Sequence, residues 1–238
     1  CIETFDYDIV DQIYAPYDNL GLNVILHGNG SREYKVLSSL AEALKAQSSD
    51  SAQWNRLKNV FSSKSLQLVS FTITEKGYAF HRADGTWLPY VQKDIQNGPD
   101  SPTGAMAVLT AMLYERYKAG KYPLALLSLD NCSQNGHKLR QSVLTMSKEW
   151  QQQGFVPDSF VSYVSDESIV AFPWSMIDKI TPRPSEQIAA DLEALGVKNM
   201  QPVITGKKTY IAPFVNAEKP QYLVIEDTFP NGRPALEK

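Results

Sequence analysis

Apolar positions along this chain follow two rhythms. Residues 66–74 and 124–129 are short, near-continuous apolar runs, Leu-Gln-Leu-Val-Ser-Phe-Thr-Ile-Thr and Leu-Ala-Leu-Leu-Ser-Leu. The first stops at Glu75-Lys76-Gly77 and the second at Asp130-Asn131, which predicts two buried strands ending in polar turns. Elsewhere the apolar residues recur at helical spacing. Trp54, Leu57 and Phe61 mark one helix, and Met106, Leu109, Leu113 and Tyr117 mark a second over 102–119, with Gly120 just past its end. A third helix is predicted over 134–152, closed by Gly154. Nearer the start, residues 22–27 and 33–37 flank Gly28-Asn29-Gly30-Ser31, where Asn29-Gly30 tolerates the positive φ of a hairpin turn. Ser39 as an N-cap, with Glu42 near N3, predicts a short helix over 40–46. Cys1-Ile2-Glu3 reads as the end of a strand. Beyond Pro157 the pattern is mixed: a strand at 169–172, a helix at 185–195, then β-rich stretches at 209–212 and 222–225.

Strands apolar on both faces, alternating with helices of ten or more residues, predict an α/β fold. The expected architecture is an incomplete doubly wound parallel sheet with an added β-rich region, in one domain over 1–238. Composition narrows the class. With 238 residues, 43% hydrophobic and 21% charged, the chain can bury a sizeable core without disulfides or metal. A net charge of -3 argues against a surface built to neutralise phosphates, so no nucleic-acid partner is expected. Two cysteines make no disulfide framework and point to a reducing, cytoplasmic setting. No apolar run approaches the ~18 residues that would span a membrane. The chain begins at Cys1, with neither an initiator Met nor a signal-peptide pattern, and reads as an interior piece of something longer.

In open α/β sheets, ligands bind beyond the carboxyl ends of the strands. Two such ends carry unusual polar clusters, residues 72–78 and 128–136. If their strands are neighbours, Glu75 and Asn131 face one crevice. An Asn carboxamide there can donate to a carbonyl oxygen that becomes negative as hydride arrives, and a carboxylate can relay the proton. The plainer alternative is two ordinary strand-to-helix turns with Asn131 or Ser133 as caps, and the residues alone leave both open. Cys132 and His137 lie five residues apart, on different sides of a helix, without a third orienting group; a small residue at a helix start explains Cys132 better than a thiol nucleophile. His27, His81 and His137 are isolated and supply no metal-ligand spacing. Gly28-Asn29-Gly30 lacks the third glycine of a dinucleotide fingerprint. Lys138, Arg140 and Lys148 read as a solvated helix face, without the interleaved aromatics that base stacking requires.

Four blocks resemble the mannitol dehydrogenase family, the long-chain polyol dehydrogenases. They are Thr72-Ile73-Thr74-Glu75-Lys76-Gly77-Tyr78, the stretch 128–136, the run 172–182 beginning Phe172-Pro173-Trp174-Ser175, and 224–234 around Glu226-Asp227-Thr228-Phe229. Their order across nearly the whole chain makes the resemblance specific. It implies a Rossmann-like, metal-independent oxidoreductase using NAD on a small sugar acid or polyol. Around Asp130-Asn131-Cys132 and 209–216 the wording is most similar to the branch that interconverts D-mannonate and D-fructuronate. Mannitol, arabinitol and tagaturonate enzymes share the same blocks.

The resemblance makes Asn131 a donor to the reacting oxygen and places Glu75 on the proton path. It sets Thr72 and Thr74 beside the cofactor ribose and nicotinamide, and Asp178 at the nicotinamide end. Glu3, closing a strand, is the expected partner of the adenosine ribose hydroxyls, with Asp6 as the fallback; a carboxylate there would repel a 2′-phosphate and favour NAD. The family's glycine loop is expected before Cys1. Its catalytic Lys, in a helical domain, is expected after Lys238. The slice is therefore expected to be inactive alone, within an active parent enzyme. A reading of another class is a non-catalytic α/β binding module, which the retention of both Glu75 and Asn131 disfavours.

Overall fold

The structure is a computed structural model describing residues 1–177, 181–218 and 222–236. In chain order its elements are β1 (Ile2–Glu3), β2 (Gly21–Leu26), β3 (Arg32–Leu37), β4 (Leu44–Lys45), α1 (Ser51–Ser62), β5 (Leu68–Phe71), α2 (Pro89–Asn97) and α3 (Ala105–Gly120). There follow β6 (Leu124–Ser128), α4 (Asn135–Gln152), α5 (Asp158–Ser165), β7 (Val170–Ala171), β8 (Ser175–Ile177), α6 (Glu186–Ala194), β9 (Val203–Ile204), β10 (Tyr210–Ile211), β11 (Val215–Glu218) and β12 (Leu223–Ile225). They form two compact units: Cys1–Lys45 with Asp178–Tyr222, and Ala46–Ile177 with Leu223–Lys238.

The second unit holds the expected parallel sheet, in the order β5-β6-β7. All five residues of β6 are buried, at 0–1% exposure, so both faces of this central strand are covered. Each leucine so enclosed contributes about 1.5–3 kcal/mol. β5 lies at the edge of this sheet and is only half-buried, with Ser70 exposed, although its apolar run reads as a fully buried strand. A position on one strand's edge cannot be told from a central one by hydrophobicity alone. α1 begins at Asp50, whose side chain accepts from Gln53 N at 3.1 Å, and buries Trp54, Leu57 and Phe61 as predicted. α3 and α4 also fall where their apolar spacing places them. α2 and α5 are not foreseen: both are short, and a proline stands at N1 of α2 and at the N-cap of α5. β8 and β12 pair antiparallel as a separate ribbon.

In the first unit, β2 and β3 form the predicted hairpin, Gly21 facing Leu37 and Leu26 facing Arg32, with Gly30 at φ 82° in the turn. β11 adds to β2 in parallel, while β9 and β10 pair antiparallel; β10 falls in the stretch expected at 209–212, and β9 and β11 are not foreseen. Val24, Ile188, Leu192, Met200 and Phe214 make this unit's core. The predicted helix over 40–46 does not form. Leu44–Lys45 is instead strand β4, parallel to β1, with Leu44 N donating to Cys1 O at 2.9 Å. Pairing with a distant strand has overridden a local capping signal.

Candidate functional site

β5 and β6 are parallel neighbours that end level, Phe71 opposite Ser128. Their carboxyl ends therefore release residues 72–78 and 129–134 side by side, the condition on which the crevice reading rests. Asp130 joins the two loops. Its Oδ2 accepts from Ile73 N at 3.1 Å and from the Tyr78 hydroxyl at 2.6 Å, and its Oδ1 accepts from Thr74 N at 2.9 Å. The Tyr78 hydroxyl also meets Ser128 Oγ at 2.8 Å. Burial and then the bond to Asp130 push the Tyr78 phenol well above its ordinary pKa, so it stays a donor. Thr74 itself sits at φ 62°, ψ 162°, backbone space that is essentially reserved for glycine. That conformation costs about 1–3 kcal/mol. Two hydrogen bonds to a carboxylate, about 1.5–3 kcal/mol each, suffice to hold it.

The chain then turns through a 3₁₀ stretch, Glu75–Tyr78, in which Gly77 packs where a Cβ would lie 2.8 Å from the Ile73 side chain. Glu75 is exposed and pairs with Lys138, one turn into α4. Lys138 is therefore bound to the site and is not simply part of a solvated face; the pairing raises its pKa. Arg140 likewise pairs with Glu167, at 2.9 Å. Together Glu75 and Lys138 line a cleft of about 310 Å³ with His81, Gln141 and Thr145.

Asn131 is exposed and hydrogen-bonds to no described residue. It does not cap α4, nor does Ser133: the N-cap is Gln134, in the left-handed region at φ 57°, with no side-chain bond to the helix. The capping alternative therefore leaves the Asn131 carboxamide unexplained. Burial raises the pKa of the neighbouring Cys132 thiol, Lys138 opposing and Glu75 and Asp130 reinforcing, so this is no activated nucleophile.

Asn135 is a residue that sequence reasoning passed over. Buried at the start of α4, its amide donates to Asp130 O at 3.2 Å, Ser175 O at 3.0 Å and Ser175 Oγ at 2.9 Å, and its Oδ1 accepts from Ser175 N at 3.2 Å. It ties the end of β6 to β8. Gly136 follows because a Cβ there would stand 2.5 Å from Phe172 O. The Asn-Gly pair opening a helix straight after a buried strand is the signal that could have marked it.

Thr72 and Thr74 are both exposed at the end of β5. Glu3 closes β1, is half-buried, and has its pKa raised by burial and by the nearby Asp6. Asp6, the fallback for the ribose, is 2% exposed and is engaged by the hydroxyls of Thr205, at 2.6 Å, and Thr209. Those bonds lower its pKa. It is a structural clamp. Asp178 lies outside the described residues. Among the described residues no group of three or more His, Cys, Asp or Glu is placed to hold a metal ion, and no helix is long and apolar enough to cross a membrane.

Comparison with known proteins places this geometry in context. Residues 16–238 match the model of the mannitol dehydrogenase Rossmann domain. The chain is 52% identical over 236 residues to a D-mannonate oxidoreductase of Thermotoga maritima, covering 99% of this chain and 43% of that protein. It is 30% identical over 226 residues to a mannitol 2-dehydrogenase of Cereibacter sphaeroides, covering 94% of this chain and 42% of the relative. Among solved structures it resembles the Pseudomonas fluorescens mannitol 2-dehydrogenase ternary complex with NAD and D-mannitol. There the TM-score is 0.74 at 26% identity, over 98% of this chain and 44% of the other. The chain thus spans a little under half the length of the relatives it matches.

Proposed function

This chain belongs to the mannitol dehydrogenase family, and from that premise we propose that it carries the nicotinamide-binding part of an NAD-dependent secondary-alcohol dehydrogenase interconverting D-mannonate and D-fructuronate. One observation carries the reading: an unengaged Asn131 and an exposed Glu75 follow the level carboxyl ends of adjacent parallel strands. The choice of substrate is supported by the 52% identity to a D-mannonate oxidoreductase.

The residues suit a nicotinamide dinucleotide. Exposed Thr72 and Thr74 offer hydroxyls beside the crevice, where they would hold the ribose and nicotinamide. Glu3, at the carboxyl end of a parallel strand, would accept from the adenosine ribose hydroxyls and repel a 2′-phosphate. When bound, the cofactor supplies the hydride acceptor or donor. Asn131 donates to the substrate oxygen and stabilises the charge that builds there, an effect worth about 10²–10³ in kcat for one such donor. Glu75 relays the hydroxyl proton toward solvent, and Lys138 beside it holds the carboxylate in place.

A second reading, a mannitol-type polyol dehydrogenase, is favoured by the likeness to mannitol 2-dehydrogenases in sequence and structure. Assaying NADH oxidation by the complete gene product with fructuronate, tagaturonate and fructose separates them. Preference for fructuronate is expected. Preference for fructose would establish the polyol reading, and no rate with any of the three would defeat both.

A further inference from the structure

We propose that Asp130 is a positioning residue for the reaction, holding Glu75 and Asn131 in register through the backbone of Thr74. The inference rests on the dehydrogenase reading above and names a group which that reading leaves without a role. Asp130 immediately precedes Asn131, and Thr74 immediately precedes Glu75. Through the Thr74 N–H bond of 2.9 Å and the Ile73 N–H bond of 3.1 Å, one carboxylate therefore links the two candidate functional residues across adjacent strand ends. The Tyr78 hydroxyl, 2.6 Å away, closes the same loop from its far side.

The backbone shows why the link matters. Thr74 is β-branched and stands at φ 62°, ψ 162°. A side chain of that shape leaves this region unless its surroundings over-determine it. Released from Asp130, Thr74 would relax toward ordinary extended backbone, and the 3₁₀ stretch that begins with Glu75 would swing away from Lys138. Asp130 does not itself line the cleft that Glu75 and Lys138 share. It acts through Thr74, and the site shows no need for it to touch substrate.

An isosteric exchange tests this. In Asp130→Asn one oxygen can still accept, but the amide group turns an N–H toward a second backbone N–H. The complete gene product carrying D130N should keep its fold, show faster hydrogen exchange over residues 72–78, and lose about 100-fold in kcat, the scale of a 1 Å misplacement. Glycine occupies the conformation of residue 74 without strain. In a Thr74→Gly background, whose own activity is the reference, D130N should therefore cost no more than roughly five-fold. Such non-additivity is what a purely structural role would not produce. Equal losses in the two backgrounds, or unchanged exchange over 72–78 in an active enzyme, would overturn the positioning role alone. A wild-type protein without dehydrogenase activity would overturn the dehydrogenase reading, and the positioning role with it.

Discussion

Arg116 lies fully buried in α3, and all five of its N–H donors meet backbone carbonyls. They reach Phe61 O and Ser63 O at 2.7 Å, Pro123 O at 2.8 Å, and Leu66 O and Tyr122 O at 2.9 Å. The end of α1 and the approaches to β5 and β6 are thus gathered on one side chain. Arg116→Met would fill much of the volume but leave several carbonyls without donors, at about 1–3 kcal/mol each. Urea unfolding of that variant should show a loss of at least about 3 kcal/mol, and a loss below about 1 kcal/mol would mean that water replaces the guanidinium. Nothing in the sequence separates Arg116 from an ordinary solvated arginine, because its partners are carbonyls, which every residue has. Lys138 was similarly unreadable: its partner Glu75 lies 63 positions away. Asn131 and Glu75 were legible for the opposite reason. Polar residues directly after apolar runs stand at strand ends whatever the rest of the fold does.

At the level of elements, α3 depends on a cap that comes from a different helix. Its N-cap is Gly104, which has no side chain to offer, and Asp94 of α2 instead holds the N-cap N–H and the one before it. Its Oδ2 accepts from Gly104 N and its Oδ1 from Thr103 N, both at 2.8 Å, within a site that is 1% exposed. Trp150 Nε1 donates to Asp94 O at 2.9 Å, which locks α2 against α4. Asp94→Ala should cost about 2 kcal/mol, a lost cap plus buried N–H groups left unpaired. The shift in denaturation midpoint, followed by Trp fluorescence, measures it; a change below ~0.5 kcal/mol would mean that the start of α3 is held by other means. Long amphipathic helices such as α1 and α4 announced themselves by period, since their buried faces repeat every turn, whereas α3 is buried all round from Met106 to Leu113 and was marked by its length and its closing Gly120. The failed helix over 40–46 marks the limit of such signals. Two residues pairing with β1 outweigh one capping pattern, and that pairing joins segments 42 residues apart.

For the molecule as a whole, the first unit is closed by bonds between the two chain segments that compose it. Asp6 accepts from Thr205 and Thr209, and Asp8 Oδ2 accepts from Gly206 N at 2.9 Å. The Thr205 and Thr209 hydroxyls hold the Asp6 carboxylate below its ordinary range. A depressed carboxylate contributes stability that is complete above its unfolded value of about 3.9 and is lost as pH falls through the lower folded value. Asp6→Asn should therefore be less stable than the natural protein above about pH 5, and the two should converge in strong acid. Unfolding curves at several pH values test this; a gap that stays constant down to pH 2 would remove the titration from the explanation. The sequence by itself determined the α/β class, the order of the main helices and strands, and the polar clusters after β5 and β6. Those properties depend on local period and on apolar runs, which neighbouring residues carry. Only the tertiary structure decided that β5 and β6 are neighbours, that Asp130 holds Thr74 in a glycine-like conformation, and that Asp6 is buried under the hydroxyls of Thr205 and Thr209. Each of these joins residues at least 56 positions apart. Such partners are chosen by packing and hydrogen-bond satisfaction, which local sequence does not encode.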